Sequence, residues 1–132
     1  MKKSEHFDIL EFSCRDKEQT PYPPEWINTR LAPLISALEI IRKKLGSAIY
    51  IVSGYRTKKH NKSVGGAKKS LHCEGLAADI KSYAYEARTL YNLIEKLILD
   101  GDIPDGGLEK APTWVHYDLR GLIDMPPARF KP

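Results

Sequence analysis

The chain is short of cysteine, of long apolar runs and, over one stretch, of negative charge. Two cysteines in 132 residues, Cys14 and Cys73, exclude a disulfide framework and a four-sulfur metal site. They read as reduced, mostly buried thiols, with a Cys14–Cys73 bridge as the alternative. Cys73 directly follows His72, and neighbours on an extended chain point to opposite faces, which makes it a poor co-ligand. No apolar run approaches the ~18 residues of a membrane span. No apolar segment follows the basic start Met1-Lys2-Lys3, so no signal peptide is expected, and synthesis in a cytoplasm is. Repeats and low-complexity tracts are absent. The length, 132 residues, suits one domain, expected to be a monomer, with 1–23 as a leading arm and 121–132 as a proline-broken tail.

The missing negative charge lies between Ile40 and Cys73, where there is no aspartate or glutamate. The same segment carries Arg42, Lys43, Lys44, Arg56, Lys58, Lys59, Lys62, Lys68 and Lys69. Those nine positives exceed the formal net charge of +4, so the remainder of the chain is net acidic. Such a zone is either a solvated surface that aids solubility or an attractor for a carboxylate-bearing or polyanionic substrate. Aromatics interleave poorly with these lysines and no nucleic-acid motif occurs, so nucleic acid is not the expected partner.

What is present alternates between two periodicities. Phe7, Ile9, Leu10 and Phe12 are apolar enough to lie on a core, but residues 1–23 read as irregular or lightly structured, ending in the stiff Thr20-Pro21-Tyr22-Pro23-Pro24. A helix is expected from Pro24 or Glu25, with Ile27, Leu31, Leu34, Ile35, Leu38, Ile41 and Leu45 as its stripe and Gly46 as its cap. Pro33 should kink or split it. Ala48–Ser53 reads as a buried strand. Thr57 can cap a short helix over 58–64, and Gly65-Gly66 opens a loop. Leu76–Ile80 reads as a second strand. Ser82 is the expected cap of a helix that buries Ala87, Leu90, Tyr91, Ile94, Leu97 and Ile98 and stops at Gly101. A strand beginning near Leu108-Glu109 and another over Trp114–Leu119 complete the pattern. Two main helices among short strands, without a repeating βαβ unit, indicate an α+β fold with one mostly antiparallel sheet.

The chemistry concentrates in Ser70-Leu71-His72-Cys73-Glu74-Gly75-Leu76-Ala77-Ala78-Asp79 and in Trp114-Val115-His116-Tyr117-Asp118. Imidazole nitrogen and carboxylate oxygen suit zinc, and two neutral histidines with one aspartate leave a zinc site at net +1. His72, Asp79 and His116 are the candidate ligands. Spacing alone does not separate such a set from surface or core histidines. Alternation places Trp114, His116 and Asp118 on one strand face, where Asp118 can support the site.

The motifs Ser53-Gly54-Tyr55-Arg56, Ser70-x-His72-x-x-Gly75-x-Ala77-x-Asp79 and Trp114-Val115-His116 resemble, in order, the zinc D-Ala-D-Ala carboxypeptidases and related murein peptidases of the M15 family. Glu11-Phe12-x-Cys14-x-Asp16 resembles the start of its phage- and prophage-associated branch. The resemblance runs from about Phe7 to Arg120. It implies an α+β fold of the DD-peptidase and hedgehog type, a Zn2+ cofactor, and cleavage of amide bonds in peptidoglycan stem peptides of the cell wall. It makes His72, Asp79 and His116 the zinc ligands and Arg56 the group that steadies the substrate carbonyl. Ser70 and Tyr55 become substrate-binding residues.

One departure stands out. The family places an acid three residues before the last histidine as general base, and here that residue is Thr113. Asp118 is the first candidate to replace it, with a structural pairing to Arg120 as the other reading. Glu109 is the second candidate and Glu74 the third. A non-catalytic zinc-stabilised phage structural or wall-binding module is the rival reading that Thr113 keeps open.

Overall fold

The computed structural model describes residues 4–130. Five strands form one sheet in the order β1-β2-β4-β3-β5. They are β1 (Tyr50–Ser53), β2 (Ala77–Lys81), β3 (Gly107–Lys110), β4 (Val115–Asp118) and β5 (Ala128–Phe130). All neighbouring pairs run antiparallel except β3 and β5. The helices are α1 (Ala32–Leu45), α2 (Lys58–Ser63) and α3 (Ala87–Leu99). This is the α+β architecture that the two periodicities imply.

The stripe of α1 is buried from Leu34 through Leu45, and α1 ends at Gly46 with φ +72°, a left-handed cap. The helical stretch before it changes type, because Pro33 has no N–H and its ring crowds the carbonyl four residues back. Pro24–Trp26 is a 3₁₀ turn and Ile27–Leu31 a π turn. The Ala32 N–H reaches the Ile27 carbonyl, five residues back, so the wider turn absorbs the proline at the second position of α1.

α3 packs on β3 and β4 and against α1. Its Leu90, Ile94 and Leu97 are buried, and they share a core with Ile51, Ala78, Ile80, Leu108, Val115 and Tyr117 from one sheet face. Burying each large side chain contributes roughly 1.5–3 kcal/mol. Tyr91 and Ile98 are only half-buried. Ser82 does not cap α3. Its hydroxyl accepts from the Ala84 and Tyr85 N–H groups at 3.1 and 3.2 Å, shaping the preceding turn, and α3 starts after Glu86 without a side-chain cap.

Both ends are more ordered than their composition suggests. Asp8 caps a 3₁₀ turn, Ile9–Phe12, in a reciprocal box with Glu11. Phe7, Phe12, Cys14 and Tyr22 are buried, whereas Leu10 is exposed. The Phe12 carbonyl accepts from the Tyr55 N–H at 2.9 Å, tying the arm to the end of β1. The proline-rich tail returns as β5, held by Arg129, whose guanidinium bridges Glu95 and Asp105. Cys14 and Cys73 are both free.

Candidate metal centre and catalytic cleft

The core face of the sheet carries apolar side chains, so the alternate residues of β2, β4 and β3 project to the other face. There the register sets Asp79 opposite His116 and His116 opposite Glu109. His72 arrives from the loop before β2, in a tight turn where the Cys73, Glu74 and Gly75 N–H groups bond back to Ser70, Leu71 and His72. Gly75 ends that turn at φ +68°, and a Cβ on it would strike the Tyr22 hydroxyl and the Trp26 ring. Tyr22 donates its hydroxyl to the Gly75 carbonyl at 2.6 Å, locking the turn onto the leading arm.

His72 Nε2 lies 3.2 Å and His116 Nδ1 3.0 Å from the same oxygen, Asp79 Oδ1. One ligand atom from each of the three residues lies within 4.8 Å of the others. The outer nitrogens are occupied. His72 Nδ1–H donates to the Gly54 carbonyl at 2.7 Å, and His116 Nε2–H to Asp118 Oδ2 at 2.8 Å. Each neutral ring therefore turns its lone pair inward, towards a carboxylate oxygen. Three inward-facing acceptors repel one another unless a cation stands between them, so the donor set fits zinc in chemistry and separation.

The electrostatics agree. Burial pulls the His116 imidazolium down, but its hydrogen bonds to Asp118 and Asp79 push it up to about 9. A proton thus takes the cation's place. Burial also raises the Asp79 carboxyl, but without a metal its contacts with the His116 and His72 imidazoles outweigh that and hold the group well below the usual carboxylate range.

Arg56 reaches the same cleft. Its guanidinium donates to Ser53 Oγ at 3.2 Å, to Asn61 Oδ1 at 3.1 Å and, at 3.5 Å, towards Asp79 Oδ2. Asn61 is buried and in turn donates to the Ala67 carbonyl at 2.8 Å. Gly66 leaves room for that contact, since a Cβ there would overlap Asn61. Ser70 lines the cleft and accepts from the His72 N–H at 3.2 Å. Tyr55 does not face this cleft. Next to Arg56 on an extended segment, it points the other way, edge-on to Tyr22 and Trp26 at 6.0 and 6.4 Å.

The candidate acids separate clearly. Asp118 is fully buried. Its two oxygens accept from His116, the Gly107 N–H, the Arg120 N–H and the Arg120 guanidinium. Burial raises its carboxyl, but the bonds from His116 and Arg120 prevail and hold it well below the usual range. A carboxylate so saturated is a poor proton acceptor, which leaves Asp118 as the group that orients His116 and gives the Arg120 pairing its place. Glu74 pairs with Arg30 at 3.3 Å and does not line the metal cleft. Thr113 sits in the exposed β3–β4 hairpin turn. Glu109 is the remaining acid. It stands across from His116, lines the cleft, and has no ion-pair or hydrogen-bond partner for its carboxylate among the described residues.

Asn61, the Gly54 carbonyl and Gly66 are the supports that motif reading missed. Gly65-Gly66 carried the only local signal, a pair of glycines read simply as a flexible loop.

A family model described as Peptidase M15 matches residues 5–118. No curated protein and no solved structure matches the chain. Among the described residues, no helix is long and apolar enough to cross a membrane.

Proposed function

The chain belongs to the M15 peptidase family, and from that premise we propose that it hydrolyses a peptide bond in peptidoglycan stem peptides or their cross-links, using a zinc ion held by His72, Asp79 and His116. The observation that carries this reading is two histidines whose outer nitrogens are each committed to a fixed acceptor, so that their other nitrogens converge on Asp79. Bound there, zinc supplies Lewis acidity for a carbonyl and lowers the pKa of water.

The chain's own groups divide the remaining work. Glu109, across the ladder from His116, takes the proton of the attacking water in place of the acid that Thr113 lacks. Arg56, held by Ser53 and Asn61, donates to the oxygen on which negative charge develops. Ser70 offers a hydroxyl to the substrate backbone at the cleft rim. Asp118 fixes the tautomer and angle of His116.

The test is incubation of zinc-loaded protein with purified peptidoglycan, with and without a chelator, followed by mass spectrometry of the soluble products. Cleavage that the chelator abolishes is expected, and the product masses distinguish carboxypeptidase action on D-Ala-D-Ala, endopeptidase action on L-Ala-D-Glu and cross-bridge cleavage. His116→Ala should lose both zinc and cleavage, and full activity in that variant refutes the assignment. Thr113 favours a second reading, a zinc-stabilised module that binds cell wall without cutting it. That module predicts zinc-dependent wall binding and no released peptide.

A further inference from the structure

Beside the metal cleft, of about 470 Å³, lies a larger groove of about 810 Å³. The two adjoin, with Gly66, Lys69, Ser70, Leu71 and Met125 lining both. Lys58, Lys62, Lys68 and Lys69, from α2 and the loop after it, line the groove, and all four are exposed. None has an ion-pair partner among the described residues. The lining acid, Glu74, is engaged by Arg30. Leu71, Ile123 and Met125 supply apolar surface, the latter two from the 3₁₀ turn Arg120–Ile123 and the residues just after it.

Four unpaired ammonium groups around one apolar floor create a local positive potential far stronger than the chain's net charge of +4 suggests. The loop that bears Lys68 and Lys69 is not free to drift from the metal site. Its Ala67 carbonyl is bonded to Asn61, which also grips Arg56. The volume suits several residues of peptide rather than a single small ion. Among the described residues no aromatic side chain lines the groove, so they offer no platform for stacking bases, and nucleic acid fits it poorly.

We propose that this groove binds the carboxylate-bearing flank of the peptide substrate, with free carboxylates against the lysines and small apolar side chains against Ile123 and Met125. The inference rests on the peptidase reading for the direction in which the bound peptide continues, past Ser70 to the metal cleft. It adds a selection rule: an acidic peptide is preferred over its neutral counterpart.

The experiment measures binding apart from turnover. The full chain, kept metal-free with a chelator, is titrated with a short synthetic peptide rich in free carboxylates and with the same peptide fully amidated, followed by backbone amide shifts. The acidic peptide should bind about tenfold more tightly at low salt, moving the amides of residues 58–70, and the preference should shrink as salt rises. In K62E/K68E, two changes at exposed positions, the preference should vanish. Equal affinity for the two peptides overturns the proposal, and that comparison needs no variant to fold. An unaltered preference in K62E/K68E overturns it too, as does a single-stranded oligonucleotide of equal charge displacing the peptide from the groove. Failure of the two readings is distinguishable. A retained acidic preference without hydrolysis by the zinc-loaded chain sinks the peptidase reading alone, and hydrolysis indifferent to carboxylates sinks the groove alone.

Discussion

His116 and Asp118 lie two residues apart on β4, with His116 Nε2 2.8 Å from Asp118 Oδ2. The same aspartate is held by both the backbone and the guanidinium of Arg120. One buried carboxylate therefore passes the rigidity of a backbone turn to an imidazole whose other nitrogen faces Asp79.

Asp118→Asn should weaken zinc binding by about 10–100-fold, the usual effect of removing a ligand's hydrogen-bonded support. Competition with a chromogenic chelator measures it. Unchanged affinity would show that Asp118 serves only Arg120.

Glu109→Gln keeps size and removes the proton acceptor. Turnover on muropeptides should fall by about 10²–10⁴-fold with zinc content unaltered, the range typical of general-base loss. Wild-type turnover in this variant would return the role to another group.

Arg56→Ala should retain zinc, because His72, Asp79 and His116 remain, yet lose about 10²–10³-fold in kcat. Metal analysis of the purified variant decides the point. Zinc lost along with activity would make Arg56 a support of Asp79, which it approaches at 3.5 Å.

Metal-free stability should fall as pH rises from about 6.5 towards 9 and beyond. Folding raises His116 from its ordinary value of about 6.5 to about 9. Its contribution is complete below the lower value and lost as pH climbs through the upper one. Asp79 and Asp118 are shifted the opposite way, so their contribution is present above about 4 and lost in strong acid. Zinc needs the lone pair that the proton occupies, so the rise in Tm on adding zinc should grow across the same alkaline window. Thermal scans from acid to alkaline pH, with chelator or zinc, check both trends. A chelated protein whose Tm climbs from neutrality to pH 9 contradicts them.

Gly75→Ala combines a left-handed φ with a Cβ directed at Tyr22 and Trp26. The cost should be about 1–3 kcal/mol, read by urea unfolding. Ala at Gly46, where φ is +72° but no atom lies within 4 Å, should cost less.

Much of this molecule was legible from local pattern. The α1 stripe, the Gly46 cap, the Thr57 cap of α2 and the β2 and β4 segments follow from periodicity and capping chemistry that a few consecutive residues contain, whereas β1 forms as an edge strand with Tyr50 and Val52 exposed and not as the buried strand expected. The His72, Asp79 and His116 group that could hold a metal was legible as residue types in order, and alternation along β4 sufficed to put His116 and Asp118 on one face. Ser82 misled, because a serine can satisfy a turn's N–H groups as readily as a helix's. The tail misled for another reason: β5 exists through pairing with β3, and no local signal reports a distant partner.

The sequence by itself determined which groups this protein has for chemistry: two imidazoles, a carboxylate, an arginine and a run of lysines without acids. Only the tertiary structure decided their roles. Antiparallel register sets Glu109 across from His116, close packing seals Asp118 against Arg120, and a turn locked by Gly75 brings His72 to Asp79. Near neighbours in sequence though they are, these residues take their mutual geometry from strand pairing, packing and a turn that no local pattern reports, and burial with full hydrogen bonding is what separates Asp118 from the open Glu109.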